Sequence, residues 1–205
     1  VEEIEGIQSP GTRVILSPKK EWLPLFEKEE LKKNVLNFGS ALPVNITMTV
    51  DGTTEVLVEK DPVWMDKNSS KQELLAYGKE LFNIDFLDCF FLRSDAGEID
   101  GVAYIMPYKV QFTGSSKQHK IYLKRMYMCE QASNLLPEWT SFVKCVINTN
   151  ALRPTASRES LMDDDVMKQS KKELSACFKD YLKVLMLKDV EKLSEIIRIH
   201  HIYIK

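Results

Sequence analysis

The sequence predicts an α/β fold over about three quarters of its 205 residues, followed by a helical coil. Two patterns carry that expectation. Val44, Ile46, Met48 and Val50 alternate with Asn45, Thr47 and Thr49, the period of a strand with one buried face. Beyond Arg158 the period changes. Met167, Leu174, Cys177, Tyr181 and Val184 recur at heptad-like spacing beside Phe178, Leu182 and Leu185, which predicts a long amphipathic helix.

Composition fits a packed chain of one to two domains: apolar residues are 44% and charged residues 28%, which excludes disorder, collagen and simple fibre. Lys and Arg number 28 against 30 Asp and Glu, for a net charge of −2, so the basic excess of a dedicated nucleic-acid domain is missing. The four cysteines form no C-x-x-C pair and read as small core residues of a reducing compartment. No stretch approaches the ~18 consecutive apolar residues of a membrane span, and no signal-peptide pattern opens the chain. A soluble, cytoplasmic protein with neither nucleic-acid nor membrane partners is expected. The chain begins at Val1 and stops inside a structured-looking segment, as a piece of a longer protein does.

Taken in order, Gly11-Thr-Arg-Val-Ile-Leu16 is a short β-type run closed by Ser17-Pro18, and residues 18–24 form a proline-bracketed linker. Residues 27–38 carry Leu31, Val35 and Phe38 at helical spacing, with Gly39 as the stop. The alternating run of 44–50 meets Asp51-Gly52, which supplies the two positive-φ positions of a type I′ turn, and 53–59 returns as the second strand of a hairpin. Pro62-Val-Trp64 ends that strand. Ser69 or Ser70 caps a helix over 72–82, with Leu74, Leu75 and Leu81 on its apolar side. Strands follow at 89–92, 101–109 and 120–130, with a turn at 94–97 and a polar connection over 113–119. Residues 137–142 read as a short helix, and 143–148 as either its continuation or a further strand. Asp189 caps a last helix carrying Val190, Leu193, Ile196 and Ile197.

Chemistry is sparse. Neither G-x-x-x-x-G-K-[ST] nor G-x-G-x-x-G occurs, so no phosphate-cradling loop of either type is encoded. His200 and His201 are adjacent rather than i,i+4, which favours one buried and one exposed imidazole over a metal pair, and no metal site is expected. His119 stands alone in a polar loop. Asp163-Asp164-Asp165 suits the first turn of the long helix better than a cation. Lys120, Lys124 and Arg125 belong to a half-buried strand and are expected to reach solvent. The loop 151–161 is the strongest candidate: Ser157 is placed to cap the long helix and Arg158 to sit at its first turn. A guanidinium held there is always ionised and forks onto phosphate or carboxylate. A capping pair with a surface salt bridge to Glu159 explains the same residues.

The ordered set Gly11-Thr-Arg-Val-Ile-Leu16, Pro62-Val-Trp64, Lys120-Ile-Tyr-Leu-Lys-Arg-Met-Tyr-Met128, Leu136-Pro-Glu-Trp-Thr-Ser-Phe-Val-Lys144 and Ala156-Ser-Arg-Glu159 resembles the middle segment of the ninety-kilodalton heat-shock chaperones of the bacterial HtpG type. The resemblance implies an α-β-α layered middle domain with a mixed sheet, in which 143–148 is a strand. It divides the chain into the end of a preceding ATPase domain and linker (1–24), the middle domain (25–158), a helical coil (159–188) and the start of a truncated small subdomain (189–205). It further implies an ATP-dependent chaperone in which Arg158 reaches the γ-phosphate of ATP held by the N-terminal domain of the same chain. Trp64 matches an aromatic residue implicated in client contact; a ring buried against the hairpin is the other reading. ATP and magnesium are implied for the parent and none for this segment, which is expected to be inactive alone. The parent is expected to dimerise through a C-terminal region.

The pattern is broken at three places: Thr155 stands for the usual Asn, Met162 for the usual Gln, and Ala151-Leu-Arg-Pro154 for Asp-Leu-Pro-Leu. Thr155 and Met162 favour an alternative, a non-catalytic protein-interaction module. A third possibility is the transducer domain of a type II topoisomerase or mismatch-repair ATPase. That domain usually places a lysine on the loop, and the heat-shock motifs argue against it.

Overall fold

A computed structural model describes residues 11–110, 119–130 and 135–204. The expected polar connection over 113–119 lies, except for His119, outside the described residues. The order is α1 (Lys28–Gly39), β1 (Ile46–Val50), β2 (Thr53–Val58), α2 (Lys71–Phe82), β3 (Asp88–Ser94), β4 (Ile99–Ile105), β5 (Lys120–Leu123), β6 (Met126–Cys129), β7 (Val143–Thr149), α3 (Asp165–Lys188) and α4 (Val190–His200). β1 and β2 form a separate antiparallel pair, while the main sheet runs β3-β4-β7-β5-β6. That sheet is mixed, because β5 pairs with β7 in parallel and the other neighbours are antiparallel.

Alternation along the central strands gives the sheet two apolar faces. Ala103, Ile105, Ile121, Cys145 and Ile147 pack with Met167, Leu174 and Phe178 of α3 and Ile196 of α4. Val102, Tyr104, Tyr122 and Val146 pack on the other face with Leu74 of α2, Ala41 and Trp64. The layers are therefore α-β-α, as the resemblance implies. Close approach of α2 needs Gly78, where a Cβ would meet the Tyr104 ring at 2.4 Å. A polar pin joins the layers at the start of β3. The buried Asp88 carboxylate accepts from Tyr181 Oη of α3 at 2.7 Å and from the Cys89 amide at 2.8 Å, and pairs with Lys71 Nζ of α2 at 2.7 Å.

Local signals hold well. Asp51 and Gly52 take φ of +49° and +78° in the β1–β2 turn. Ser70 and Glu73 form a reciprocal capping box at α2. Asp189 caps α4 by accepting the Lys192 amide at 2.9 Å.

Several expectations are corrected. Residues 11–16 form no strand; every side chain there is exposed, and among the described residues no ladder lies beside the run. The linker holds a 3₁₀ turn, Lys20–Phe26, with Pro24 inside it. Gly39 ends inside α1 rather than after it, and Ser40 follows in helical geometry. Val44 lies outside β1 and is exposed. Residues 62–64 do not end β2, which stops at Val58; Val63–Met65 is a 3₁₀ turn. The single strand expected over 120–130 is a hairpin turning at Lys124-Arg125, both at positive φ. The long helix begins at Asp165 with Asp164 as its cap, so Ser157 and Arg158 lie in the loop before it.

Candidate functional site

Residues 153–162 form a small hairpin between β7 and α3. Its arms are closed by the Met162 amide donating to the Arg153 carbonyl at 2.8 Å, an antiparallel bridge between Pro154 and Leu161, and the Thr155 amide donating to the Ser160 carbonyl at 2.9 Å. Leu152 and Leu161 are buried at its base. At its tip the Arg158 amide closes a turn on the Thr155 carbonyl at 3.0 Å, and Arg158 itself takes φ of +59°. Glycine is favoured at such a position, and an arginine there costs on the order of 1 kcal/mol.

Arg158 is exposed, and its guanidinium makes no hydrogen bond or ion pair among the described residues. The salt bridge to Glu159 does not form. The Thr155 hydroxyl turns inward and bridges Ser157 Oγ at 3.2 Å, the Ser160 carbonyl at 3.2 Å and Ser160 Oγ at 3.3 Å. It braces the tip from inside and so differs from an amide offered outward. Met162 is exposed, and its thioether donates nothing. The loop thus presents one permanent cation on a braced support, a donor set that fits an anionic oxygen cluster such as a phosphoryl group.

One residue of this loop escaped the sequence reading. Arg153 donates through Nε and Nη2 to Asp164 Oδ2 at 3.2 and 2.9 Å, while Asp164 Oδ1 accepts the Met167 amide at 2.9 Å to cap α3. These bonds hold the Asp164 carboxyl below the usual range, the Met167 amide contributing most and Arg153 next. A guanidinium eleven positions before the middle residue of an acidic run was the available signal, and charge alone did not single it out.

The other candidates disperse. Trp64 lies far into the core, 1% exposed, its ring 5.5 Å from that of Tyr122. That corrects the expectation of a client-facing aromatic: the 3₁₀ turn Val63–Met65 tucks the indole beneath α2, where burial of its large apolar surface is favourable. His119 is buried rather than looped in solvent, and its Nδ1 accepts the Cys145 amide at 3.1 Å. His200 is buried with Nε2 donating to the Met106 carbonyl at 2.9 Å, and burial lowers its pKa; His201 is exposed. Lys120 and Arg125 do not reach solvent freely. Lys120 binds Glu130 at 2.8 Å and Asn37 at 3.1 Å, and Arg125 donates to the Ala41 carbonyl at 2.6 Å and pairs with Asp61. Lys124 alone of the three is exposed.

The family model described as Hsp90 protein matches residues 44–197, three quarters of the chain and both faces of the sheet. The chain belongs to the Hsp90 family. Among its relatives, the chaperone protein HtpG of Francisella tularensis subsp. holarctica is 29% identical over 93% of this chain and 33% of its own length. HtpG of Borreliella afzelii is 25% identical over 92% of this chain and 34% of its own. The mitochondrial TNF receptor-associated protein 1 homolog of Dictyostelium discoideum is 22% identical over 82% of this chain and 24% of its own. The chain thus spans about a third of the length of the HtpG chaperones it matches. Among the described residues of this Hsp90 family member, no helix is long and apolar enough to cross a membrane.

Proposed function

We propose that this chain is the middle segment of an HtpG-type, ATP-dependent chaperone and that Arg158 completes a nucleotide site held by the N-terminal domain of the same protein. In this reading residues 1–24 end that ATPase domain and linker, 25–158 form the middle domain, 159–188 the coil and 189–205 the start of a further subdomain. The supporting observation is the guanidinium itself: exposed, without a partner among the described residues, and raised on a hairpin braced by the Thr155 hydroxyl against Ser157 and Ser160. A fixed cation meets charge developing on the transferred phosphoryl oxygens and needs no reorganisation to do so. Because the donor and the nucleotide belong to different domains, the site is complete only when they close, which couples turnover to a conformational cycle. ATP is the substrate, and it and magnesium belong to the parent's N-terminal domain. Client proteins and a second copy of the parent, joined through its C-terminal region, are the further partners. With Trp64 buried, client contact falls to exposed apolar side chains such as Phe38 and Val56. Cytoplasmic residence accompanies this reading.

In the parent, Arg158→Ala should leave ATP affinity close to unchanged and lower single-turnover hydrolysis on the order of 10³-fold. Unchanged hydrolysis removes the arginine from the reaction. It supports the second reading, a non-catalytic interaction module, which the inward Thr155 hydroxyl and the apolar Met162 side chain favour.

A further inference from the structure

We infer that Arg153 and Asp164 form a clasp that sets the direction in which the Arg158 hairpin points, making them positioning residues for that arginine. The consequence for turnover rests on the proposed role of Arg158; the clasp itself rests on geometry alone. One carboxylate holds two elements at once. Asp164 Oδ2 takes both hydrogen bonds from Arg153 on the first arm of the hairpin, and Oδ1 takes the Met167 amide in the first turn of α3. Beside the clasp, the hairpin is held among the described residues by its two strands of backbone and by Leu152 and Leu161, which are buried beneath it. A charged fork from the first arm of the hairpin to the cap of α3 adds a directional restraint to that attachment.

The far side of the clasp is firm. Met167, Leu174 and Phe178 bury α3 against the sheet. Glu173 of the same helix accepts from Ser94 Oγ at the end of β3 at 2.7 Å and from the Ala96 amide of the β3–β4 connection at 3.1 Å. The direction of Arg158 is thereby referenced to the sheet.

Three substitutions separate clasp from cap. Arg153→Ala removes the fork, Asp164→Ser removes it while keeping a capping oxygen for Met167, and Asp164→Ala removes both. Amide hydrogen exchange on the 205-residue chain should show the Thr155 and Met162 amides exchanging about two- to five-fold faster in the first two variants, the range that an exposed bidentate pair supports. Combining those two should add nothing further, the Leu174 and Phe178 amides should not change, and only Asp164→Ala should expose the Met167 amide. In the parent, Arg153→Ala and Asp164→Ser should lower kcat by a similar factor at unchanged KM for ATP, and should have no effect in an Arg158→Ala background.

Unchanged exchange in 153–162, or additive effects in the combined variant, overturns the clasp and leaves the proposed function untouched. Faster exchange with kcat unchanged, in a parent whose Arg158→Ala form is slow, overturns the positioning role. Faster exchange in a parent whose Arg158→Ala form is as active as the wild type upholds the clasp and overturns the proposed function instead.

Discussion

Two arginines stand at positive φ on hairpin turns of this molecule, Arg125 at +69° and Arg158 at +59°, and their side chains have opposite fates. Arg125 is folded into the structure. Its amide donates to Asn148 Oδ1 at 2.7 Å, its Nε to the Ala41 carbonyl at 2.6 Å, and its Nη2 pairs with Asp61. Arg158 spends its amide on the turn and leaves its guanidinium exposed. The same strained backbone therefore serves two ends. At the β5–β6 turn it aims a cation inward to tie the end of α1 and the loop after β2 to the sheet; on the 153–162 hairpin it aims one outward. Positive φ alone does not mark a functional residue; what separates the two arginines is where their charge is spent.

The largest effect that tests this contrast is the loss of turnover expected for Arg158→Ala in the parent, with little change in stability. The reverse is expected at the other turn. Arg125→Ala should destabilise the chain by about 1.5–3 kcal/mol, the cost of losing charge-assisted hydrogen bonds, as read by urea unfolding. A second committed charge can be followed by pH. Glu173 is held at about 2 against an ordinary 4.5, chiefly by the Ser94 hydroxyl and then by the Gln169 amide. A carboxylate depressed in the folded state contributes stability that is complete above its unfolded pKa and is lost as pH falls through the folded value. Stability should therefore decline from about pH 4.5 towards pH 2, and Glu173→Gln should flatten that part of the urea-midpoint profile. The smallest effect is also the sharpest in sign. Arg158→Gly should gain about 0.5 kcal/mol by relieving the left-handed backbone, while Arg125→Gly should lose stability because its contacts go with the side chain.

Much of the fold was legible because its signals are local. The Asp51-Gly52 turn, the Ser70–Glu73 capping box and the Asp189 cap are each decided by residues within a few positions of one another. The Lys124-Arg125 turn was not, since neither residue favours positive φ. Its geometry is imposed by contacts from elsewhere, the Lys124 amide to the Thr149 carbonyl at 2.8 Å and the Arg125 side chain to Ala41 and Asp61. The candidate site divides the same way. Ser157-Arg158-Glu159 drew attention as a motif, but its placement in the first turn of α3 was wrong, because Asp164 outcompetes Ser157 as the cap.

What the sequence alone determined is the order of most strands and helices, the Asp51-Gly52 turn, the caps of α2 and α4, and the presence of a permanent cation in a polar loop. Each follows from periodicity or from side chains bonding to backbone nearby. Only the tertiary structure decided that Trp64 is core and that Arg125 and Lys120 are bound while Arg158 has no partner among the described residues. Burial and ion pairing depend on atoms brought together from distant parts of the chain, and those distances are set by the packing of whole layers.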